Sequence, residues 1–330
     1  TSQKGSKTKC IKQCVALLIL VKFTFIRSHD SPYFSVMQNN LSETKDHLCS
    51  IGNPPKWKEQ LSYKKNTLIK EFYKIWQKHP ERGQNKWGGG FFLYFGLYIV
   101  IESLKPSTII ESGANKGIGT WFLRQAAGND TKLVVVSPER PSVYVDTIKS
   151  EYLVAENFTD FGNIQWNHII QQPASTLVFF DDHQAHLKRM EQANLHGIKH
   201  LVFDDGVPPG YGDNLSCKKM CSEDIWDFLE APSFVYQDNF NTVQRNITPE
   251  EFKKYNHRFR ELTKIYCDIP PIWNGPPRIS TVETFLSISD KAVFDQTDIK
   301  QMGLSEDTMR GKSMDKEALN YQFPNYVELK

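Results

Sequence analysis

The chain has 330 residues, of which 39% are hydrophobic and 24% charged, a composition that is ordinary for a soluble globular protein. This length suits one large α/β domain with extensions, or at most two domains. Forty basic and 38 acidic residues leave a net charge of +2, which gives no indication of a nucleic-acid partner.

The first 28 residues are typical of a targeting segment. Four lysines precede an apolar run, Cys14–Val21, which resumes after Lys22 as Phe23–Ile26. This order predicts a signal peptide or a signal anchor over residues 1–28. The run is shorter than the roughly 20 apolar residues of a full membrane span, so an amphipathic or buried helix is the alternative. An anchor would place the rest of the chain in the lumen or outside the cell.

Five Asn-x-Ser/Thr sequons agree with a secretory-pathway chain, either secreted or single-pass, because such sites are glycosylated only there. The sequon in which proline follows the threonine is the poorest acceptor. The five asparagines are Asn40, Asn129, Asn157, Asn214 and Asn246.

Four cysteines lie beyond the apolar run, and an even number of them permits two disulfides in three possible pairings. The alternative is four buried thiols. The pair Cys217 and Cys221 has no further cysteine or histidine neighbours at ligand spacing, so we do not expect a zinc site. The other two cysteines are Cys49 and Cys267.

Composition shifts divide the chain into further segments. Residues 29–56 are polar with several prolines, which indicates a linker or stem. Residues 57–104 carry apolar residues at helical spacing and predict a helical extension that packs on the core. We expect the main domain over residues 105–290 and an irregular tail over 291–330.

Strand-like and helix-like segments alternate in the central part of the chain, which favours a doubly wound, mostly parallel sheet covered on both faces. We therefore predict an α/β, Rossmann-like fold. The predicted strands are Thr108–Ser112, Lys132–Ser137, Thr176–Asp181, Lys199–Asp204 and Thr281–Ser289. The predicted helices are Gly117–Ala127, Ala185–His196 and Glu223–Leu229.

A glycine-rich turn follows the first predicted strand, in the segment Thr108–Gly119. Glycine lets the backbone approach a ligand closely, and a helix N-terminus offers unpaired N–H groups. A tight turn without a ligand, present in any α/β protein, is the alternative interpretation.

Carboxylates end two successive predicted strands. The first strand runs into Asp181-Asp182-His183, and the next into Asp204-Asp205. The carboxyl ends of parallel strands meet at one edge of the sheet, where ligands bind. Crowded carboxylates suit a hard cation, Mg²⁺ or Ca²⁺, although some of these aspartates could instead cap a helix or turn.

These motifs together resemble the catechol O-methyltransferase-like enzymes, which are class I S-adenosylmethionine (SAM) methyltransferases. The segment 105–117, with Pro-Ser, a strand and Glu-x-Gly-x-x-x-Gly, is similar to their SAM-binding motif. The layout is also similar to the methyltransferase-like cephalosporin hydroxylase group. The similarity covers roughly residues 90–290, as local motifs in order rather than continuous identity.

The resemblance implies roles for individual residues. Glu111, Gly113 and Gly117 would hold the methionine end of SAM. A divalent metal would lower the pKa of a substrate hydroxyl and fix it in line with the methyl group. The implied metal ligands are Asp182, Asp204 and Asp205.

Two departures from the family pattern stand out. Ala185 occupies the position of the catalytic lysine, so His183 or His186 would have to serve as the base. Ser137 occupies the position of the acid that binds the ribose hydroxyls, and Glu139 would have to reach in past a proline.

Three functions follow from these observations. The first is a metal-assisted SAM-dependent O-methyltransferase that acts on a hydroxylated small molecule or sugar. The second is a catalytically silent glycoprotein, membrane-anchored or secreted, for example in an extracellular matrix, that keeps the methyltransferase fold. The third is the same fold with another ligand, such as a nucleotide-sugar.

Overall fold

The computed structural model describes residues 49–80, 89–206, 215–221, 233–238, 241–272, 292–294 and 323–330. The predicted N-terminal targeting segment, most of the linker, the predicted helix Glu223–Leu229 and the predicted strand Thr281–Ser289 lie outside these residues. Of the helices that are described, none is both long enough and apolar enough to cross a bilayer.

The described strands and helices are numbered here in chain order. The strands are β1 (Thr108–Ser112), β2 (Lys132–Ser137), β3 (Ser150–Val154), β4 (Thr176–Phe180), β5 (His200–Phe203), β6 (Ser233–Asp238), β7 (Asn241–Asn246), β8 (Thr263–Asp268) and β9 (Asn325–Leu329). The helices are α1 (Lys56–Trp76), α2 (Phe91–Leu104), α3 (Ile118–Ala127), α4 (His186–Leu195), α5 (Cys217–Cys221) and α6 (Pro249–Leu262).

Seven strands form one sheet in the order β3-β2-β1-β4-β5-β9-β8. Strands β1 to β5 are parallel, whereas β9 is antiparallel to both of its neighbours. The predicted Rossmann-like, mostly parallel α/β fold is confirmed. From β1 the chain proceeds in one direction to β2 and β3, and in the other to β4 and β5. The carboxyl edge between β1 and β4 is therefore the switch point, where such sheets bind ligands.

Both faces of the sheet are covered, and alternate residues of a strand enter different cores. Ile109 packs in the cluster that holds α1, α2 and α3, whereas Ile110 packs in the cluster that holds α4 and α6. This alternation follows from the two-residue period of a β-strand. It explains why β1 is buried at all five positions.

The helical extension lies on the first of these faces. Helix α2 is apolar all round and is buried at every position from Phe91 to Ile101, as expected for a helix with no solvent face. Aromatic contacts join it to α1 and α3. Phe72 and Phe91 have ring centroids 5.0 Å apart, and Tyr94 stacks on Phe122 at 4.2 Å. Each such pair adds about 1 kcal/mol beyond the area that it buries.

The expectation of an irregular C-terminal tail over 291–330 is wrong for its last residues. Asn325–Leu329 form β9, which lies inside the sheet between β5 and β8. Tyr326 pairs with Val202 on one side and Cys267 on the other, and its ring meets Trp57 at 5.8 Å. The main domain therefore extends to the C-terminal residues and does not end at residue 290.

Cys49 and Cys221 form a disulfide across 172 residues of sequence, while Cys217 and Cys267 are buried thiols. These four cysteines therefore form one disulfide and two buried thiols, whereas the sequence suggested either two disulfides or four buried thiols. Backbone hydrogen bonds between Ile51 and Tyr266 attach the same N-terminal residues to β8. The segment before α1 is thereby fastened at two points.

Candidate functional site

A cavity of about 340 Å³ opens at the carboxyl edge of the sheet, beside β1, β2 and β4. This volume lies within the range of small-molecule sites. The cavity is lined by the glycine turn after β1, by the end of β2 and by the residues that follow β4. The sequence motifs that suggested a ligand therefore do meet at one place.

The glycines of the turn are required by its geometry. Gly113 has φ +98° and its N–H donates to the carbonyl of Val136 at 2.8 Å. A Cβ atom there would overlap the carbonyl oxygen of Asp181. Gly117 has φ +88°, and a Cβ atom would overlap the carbonyl of Tyr144. The turn is thus packed directly against the end of β4 on one side and the β2–β3 connection on the other.

The β2–β3 connection, residues 138–149, contains no helix and is held by one buried arginine. Arg124 of α3 donates from Nε and Nη2 to the two carboxylate oxygens of Asp146, at 3.1 and 2.9 Å. Its Nη1 also donates to the carbonyl of Thr131 at 2.9 Å. Because the pair is almost fully buried, it fixes the connection that lies against Gly117.

Glu111 at the end of β1 is buried and faces the cavity. Burial raises the pKa of its carboxyl to about 8, although the hydroxyl of Thr120, which donates to it, acts in the opposite direction. A side chain on Gly119 would collide with this carboxyl group. Glu111 is therefore largely protonated at neutral pH and presents a neutral polar group to the cavity.

Replacing Glu111 with glutamine is expected to flatten the pH dependence of stability. A glutamate titrates near 4.5 when unfolded and here near 8 when folded, so the protein should lose stability as the pH rises between these values. The loss is about 1.4 kcal/mol per pH unit, because the unfolded chain ionises first. Glutamine cannot ionise and should remove this part of the slope, leaving the part that comes from Asp181 and Asp204, whose pKa values are also raised. Urea titrations between pH 5 and pH 8 measure it, and equal slopes in both proteins would contradict the assignment.

Asp182, predicted as a metal ligand, instead accepts hydrogen bonds from two side chains of the protein. It accepts a hydrogen bond from Ser112 Oγ at 2.6 Å and from Arg189 Nε at 3.0 Å. Arg189 also donates to both carboxylate oxygens of Asp160, at 3.0 and 2.8 Å. Asp182 therefore belongs to a buried ion-pair network in the cavity wall.

The group that could hold a cation is instead Asp181, His183 and Asp204, whose potential ligand atoms all lie within 4.8 Å of one another. Asp204 is buried, and its Oδ1 atom has no hydrogen-bond partner. Burial and the neighbouring carboxylates raise the pKa of Asp204. Burial raises that of Asp181 to about 6. These groups repel one another in their ionised form, so a bound cation would stabilise them.

Asp205, the third predicted ligand, binds two histidines. His186 Nε2 lies 3.0 Å from one carboxylate oxygen and His183 Nδ1 lies 3.3 Å from the other. Burial acts to raise the pKa of Asp205, but the hydrogen bonds from the histidines are stronger and lower it. Asp205 thus orients histidines rather than facing the cavity itself.

Of the two histidines proposed as a base, only His183 lines the cavity. His186 is buried, and its Nδ1 accepts the backbone N–H of Cys217 at 3.1 Å. Its ring hydrogen therefore lies on Nε2 and is donated to Asp205. Both nitrogens are engaged, so the structure gives His186 a positioning role.

The part of the predicted site that would bind the ribose of SAM lacks the buried acid of the methyltransferase pattern. Ser137 is buried and lines the cavity at the end of β2, where the family has an acid. Glu139 also lines the cavity but is exposed. The structure therefore brings both residues to the cavity wall, with a hydroxyl in the inner position and the carboxylate further out.

Sequence reasoning missed Tyr94, whose buried phenol reaches the cavity from α2. Burial, together with Asp181 and Glu111, raises its pKa well above the usual value. Its ring stacks on Phe122 at 4.2 Å. No local motif marks this tyrosine, because only the packing of α2 on α3 brings it to the site.

Of the predicted glycosylation sites, Asn129 and Asn157 are exposed, the first just after α3 and the second at the end of a 3-10 helix. Asn246 is the last residue of β7. Asn40 and Asn214 lie outside the described residues.

Comparison with solved structures gives methyltransferases at low similarity. The O-methyltransferase from Bacillus cereus in complex with SAH is 11% identical, with 58% of this chain and 77% of that chain covered and a TM-score of 0.32. An SAH-bound methyltransferase of Podospora anserina is 11% identical, with coverages of 54% and 86% and a TM-score of 0.29. A cyclopropane-fatty-acyl-phospholipid synthase-like protein from Lactobacillus casei is 14% identical, with coverages of 88% and 99% and a TM-score of 0.31.

No protein-family model matches the sequence, and no curated protein is significantly similar to it. Similarity of this size to the solved structures carries no conclusion about ligands or activity.

Proposed function

We propose that the chain is a SAM-dependent methyltransferase that acts on a hydroxyl group of a small molecule or sugar, assisted by a divalent cation. The carrying observation is the acid-rich cavity in which the glycine turn meets the carboxyl ends of β1, β2 and β4. Five carboxyl groups line it against two Lys or Arg side chains. With Glu111 neutral, four acids still face two bases, which favours a cationic ligand. The acids are Glu111, Glu139, Asp160, Asp181 and Asp182, and the bases are Lys116 and Arg189.

The residues at the turn fit the methionine end of SAM. The backbone of Gly113 and Gly117 borders the cavity without side chains, and the N-terminus of α3 follows directly. Glu111 would stand beside them as a neutral hydrogen-bonding group. When bound, SAM supplies a methyl group on a sulfonium centre. Ser137 offers one hydroxyl where a carboxylate would accept two ribose hydroxyls.

The residues after β4 and β5 fit a divalent cation, because Asp204 has a buried carboxylate oxygen without a partner. Asp181, His183 and Asp204 would hold the ion. A bound cation would lower the pKa of a substrate hydroxyl. The network of Ser112, Asp182 and Arg189 would keep the adjoining wall rigid.

The same proposal places the protein in the secretory pathway, secreted or anchored as a single-pass protein. The N-terminal apolar segment, the disulfide between Cys49 and Cys221, and exposed sequons at Asn129 and Asn157 support it. We propose no nucleic-acid partner, since the net charge is only +2.

Calorimetric titration of the full, oxidised chain with SAM, with and without a divalent cation, tests the proposal. We expect heat of binding, and we expect Ser137→Asp to tighten binding about tenfold by adding a charged acceptor for ribose hydroxyls. Ser142→Asp is the matched control, because Ser142 is exposed in the neighbouring connection and does not line the cavity. Absence of heat in both the wild type and Ser137→Asp, at every cation concentration, would remove the proposal.

We keep a catalytically silent glycoprotein with the methyltransferase fold, for example a matrix component, as the second candidate. It is favoured by Ser137 in place of the acid and by Ala185 in place of the family's lysine. Mass spectrometry that finds glycans at Asn129 and Asn157, in a protein that gives no heat with SAM, would favour it over the enzyme.

A further inference from the structure

We propose that the cation site takes a first-row transition ion through two carboxylates and one imidazole, from Asp181, Asp204 and His183, rather than Mg²⁺ or Ca²⁺ through oxygen ligands alone. The inference deepens the proposed function and rests on it for what the ion does. Binding of the ion itself is measurable without SAM.

A buried carboxylate oxygen of Asp204 is the main indication that a cation binds here. Asp204 is 2% exposed, and its Oδ1 atom has no hydrogen-bond partner. Leaving a buried carboxyl oxygen without a partner costs about 1–3 kcal/mol, and a bound cation would supply the partner that this atom lacks. Ligand atoms of Asp181 and His183 lie within 4.8 Å of a carboxylate oxygen of Asp204, which is close enough for one ion to contact all three residues.

The metal ligands that the sequence suggested were all carboxylates, and Asp182 is not available as one of them. Asp182 is neutralised by Arg189 and accepts a hydrogen bond from Ser112. Recruiting Asp182 to an ion would leave the Arg189 guanidinium, whose side chain is 3% exposed, with one carboxylate fewer. The remaining donors nearest to Asp204 therefore include a nitrogen.

The orientation of the His183 ring is set by its backbone conformation and by Asp205. Its backbone is left-handed, with φ +53°, a conformation that non-glycine residues seldom adopt and that is found at functional sites. Its Nδ1 atom lies 3.3 Å from Asp205. A hydrogen on Nδ1, donated to Asp205, puts the lone pair on Nε2, which is how carboxylates orient metal-binding histidines.

The carboxylate that orients His183 is itself fixed from the other side. Asp205 contacts Nε2 of His186 at 3.0 Å, and His186 accepts the N–H of Cys217 at 3.1 Å. The chain of contacts runs from the first residue of α5 to His183. This arrangement gives the buried His186 and the left-handed His183 a shared part in positioning a ligand for the ion.

An imidazole nitrogen changes the preferred ion. Carboxylates alone suit Mg²⁺ and Ca²⁺, whereas imidazole suits iron, cobalt, nickel and zinc. We therefore expect Co²⁺ to bind more tightly than Mg²⁺. We also expect this difference in affinity to depend on His183.

The experiment uses Mn²⁺ and Co²⁺ on the full, oxidised chain without SAM. Electron spin-echo spectroscopy of bound Mn²⁺ should show coupling to one imidazole nitrogen. The variant His183→Asn should abolish the coupling. Asparagine tolerates the left-handed backbone but has an amide group in place of the imidazole. Co²⁺ affinity should fall about 10- to 100-fold in this variant while Mg²⁺ affinity changes less than about threefold.

Two variants serve as controls. His168→Asn changes an exposed histidine that neither belongs to the cluster nor lines the cavity, and it should leave both affinities unchanged. Asp204→Asn should weaken Co²⁺ and Mg²⁺ together, because it removes a ligand common to both ions. Circular dichroism and urea unfolding establish that each variant is folded.

Mn²⁺ binding without nitrogen coupling, equal loss of Co²⁺ and Mg²⁺ affinity in His183→Asn, or no binding of any divalent ion would overturn the inference. SAM titration separates this result from the proposed function. Metal binding through His183 in a chain that does not bind SAM would leave the inference standing and remove the methyltransferase proposal. SAM binding without any metal site would overturn the inference and leave only the SAM-dependent part of the proposed function, without the cation.

Discussion

Gly113→Ala is expected to lower the free energy of unfolding by at least about 3 kcal/mol. The residue has φ +98°, and an added Cβ atom would overlap the backbone carbonyl of Asp181 at the end of β4. Backbone on both sides is tied into the sheet, so neither can move cheaply. Urea or thermal unfolding measures the change.

Gly128→Ala is the matched control for this effect. Gly128 also has a positive φ, +73°, but no atom lies within 4 Å of the position of an added Cβ. Only backbone strain applies, so we expect a loss of about 1 kcal/mol. Equal losses in the two variants would show that packing against β4 is not what constrains the turn.

Arg189→Met is expected to cost about 3–5 kcal/mol of stability, because it leaves two carboxylates without their cation in the cavity wall. The Arg189 side chain is 3% exposed, and those of Asp160 and Asp182 are each 13% exposed. Burial alone would raise the pKa of Asp160, but the hydrogen bonds from Arg189 lower it. The destabilisation should shrink at acidic pH, where the abandoned carboxylates become protonated.

Arg258→Met is the control for removing an arginine. Arg258 also pairs with a carboxylate, Glu191 at 2.8 Å, but the two side chains are 47% and 43% exposed. Pairs of this kind contribute less than about 1 kcal/mol. If both arginine variants lose the same stability, the network around Asp182 is not a structural element, and Asp182 returns as a candidate metal ligand.

The carboxylate motifs could be located from the sequence, but not the role of each aspartate. Two acidic pairs that end neighbouring parallel strands must meet at one edge of the sheet, and they do. Which member of Asp181-Asp182 faces the cluster depends on which one Arg189 neutralises. Arg189 follows Asp182 by seven residues, in the first turn of α4, and it also pairs with Asp160 across 29 residues. The sequence pattern does not show which of the nearby aspartates this arginine reaches.

Strand β9 shows the same limit for the fold. Its five residues follow a long polar stretch, and they are ordered by pairing with β5 and β8 rather than by their own propensity. Strand β3 was also missed, because the connection before it contains no helix and so breaks the expected alternation. Non-local pairing overrides weak local signals in both cases.

The sequence by itself determined the α/β alternation, the strand that enters the glycine turn, and the edge at which the carboxylates gather. These depend on hydrophobic period and on glycine's access to positive φ, which are properties of short segments. The tertiary structure alone decided which aspartate is neutralised, which histidine is sealed inside, and that Tyr94 reaches the cavity. Those outcomes depend on burial and on charged partners distant in the chain, because a carboxylate or imidazole takes its role from what surrounds it.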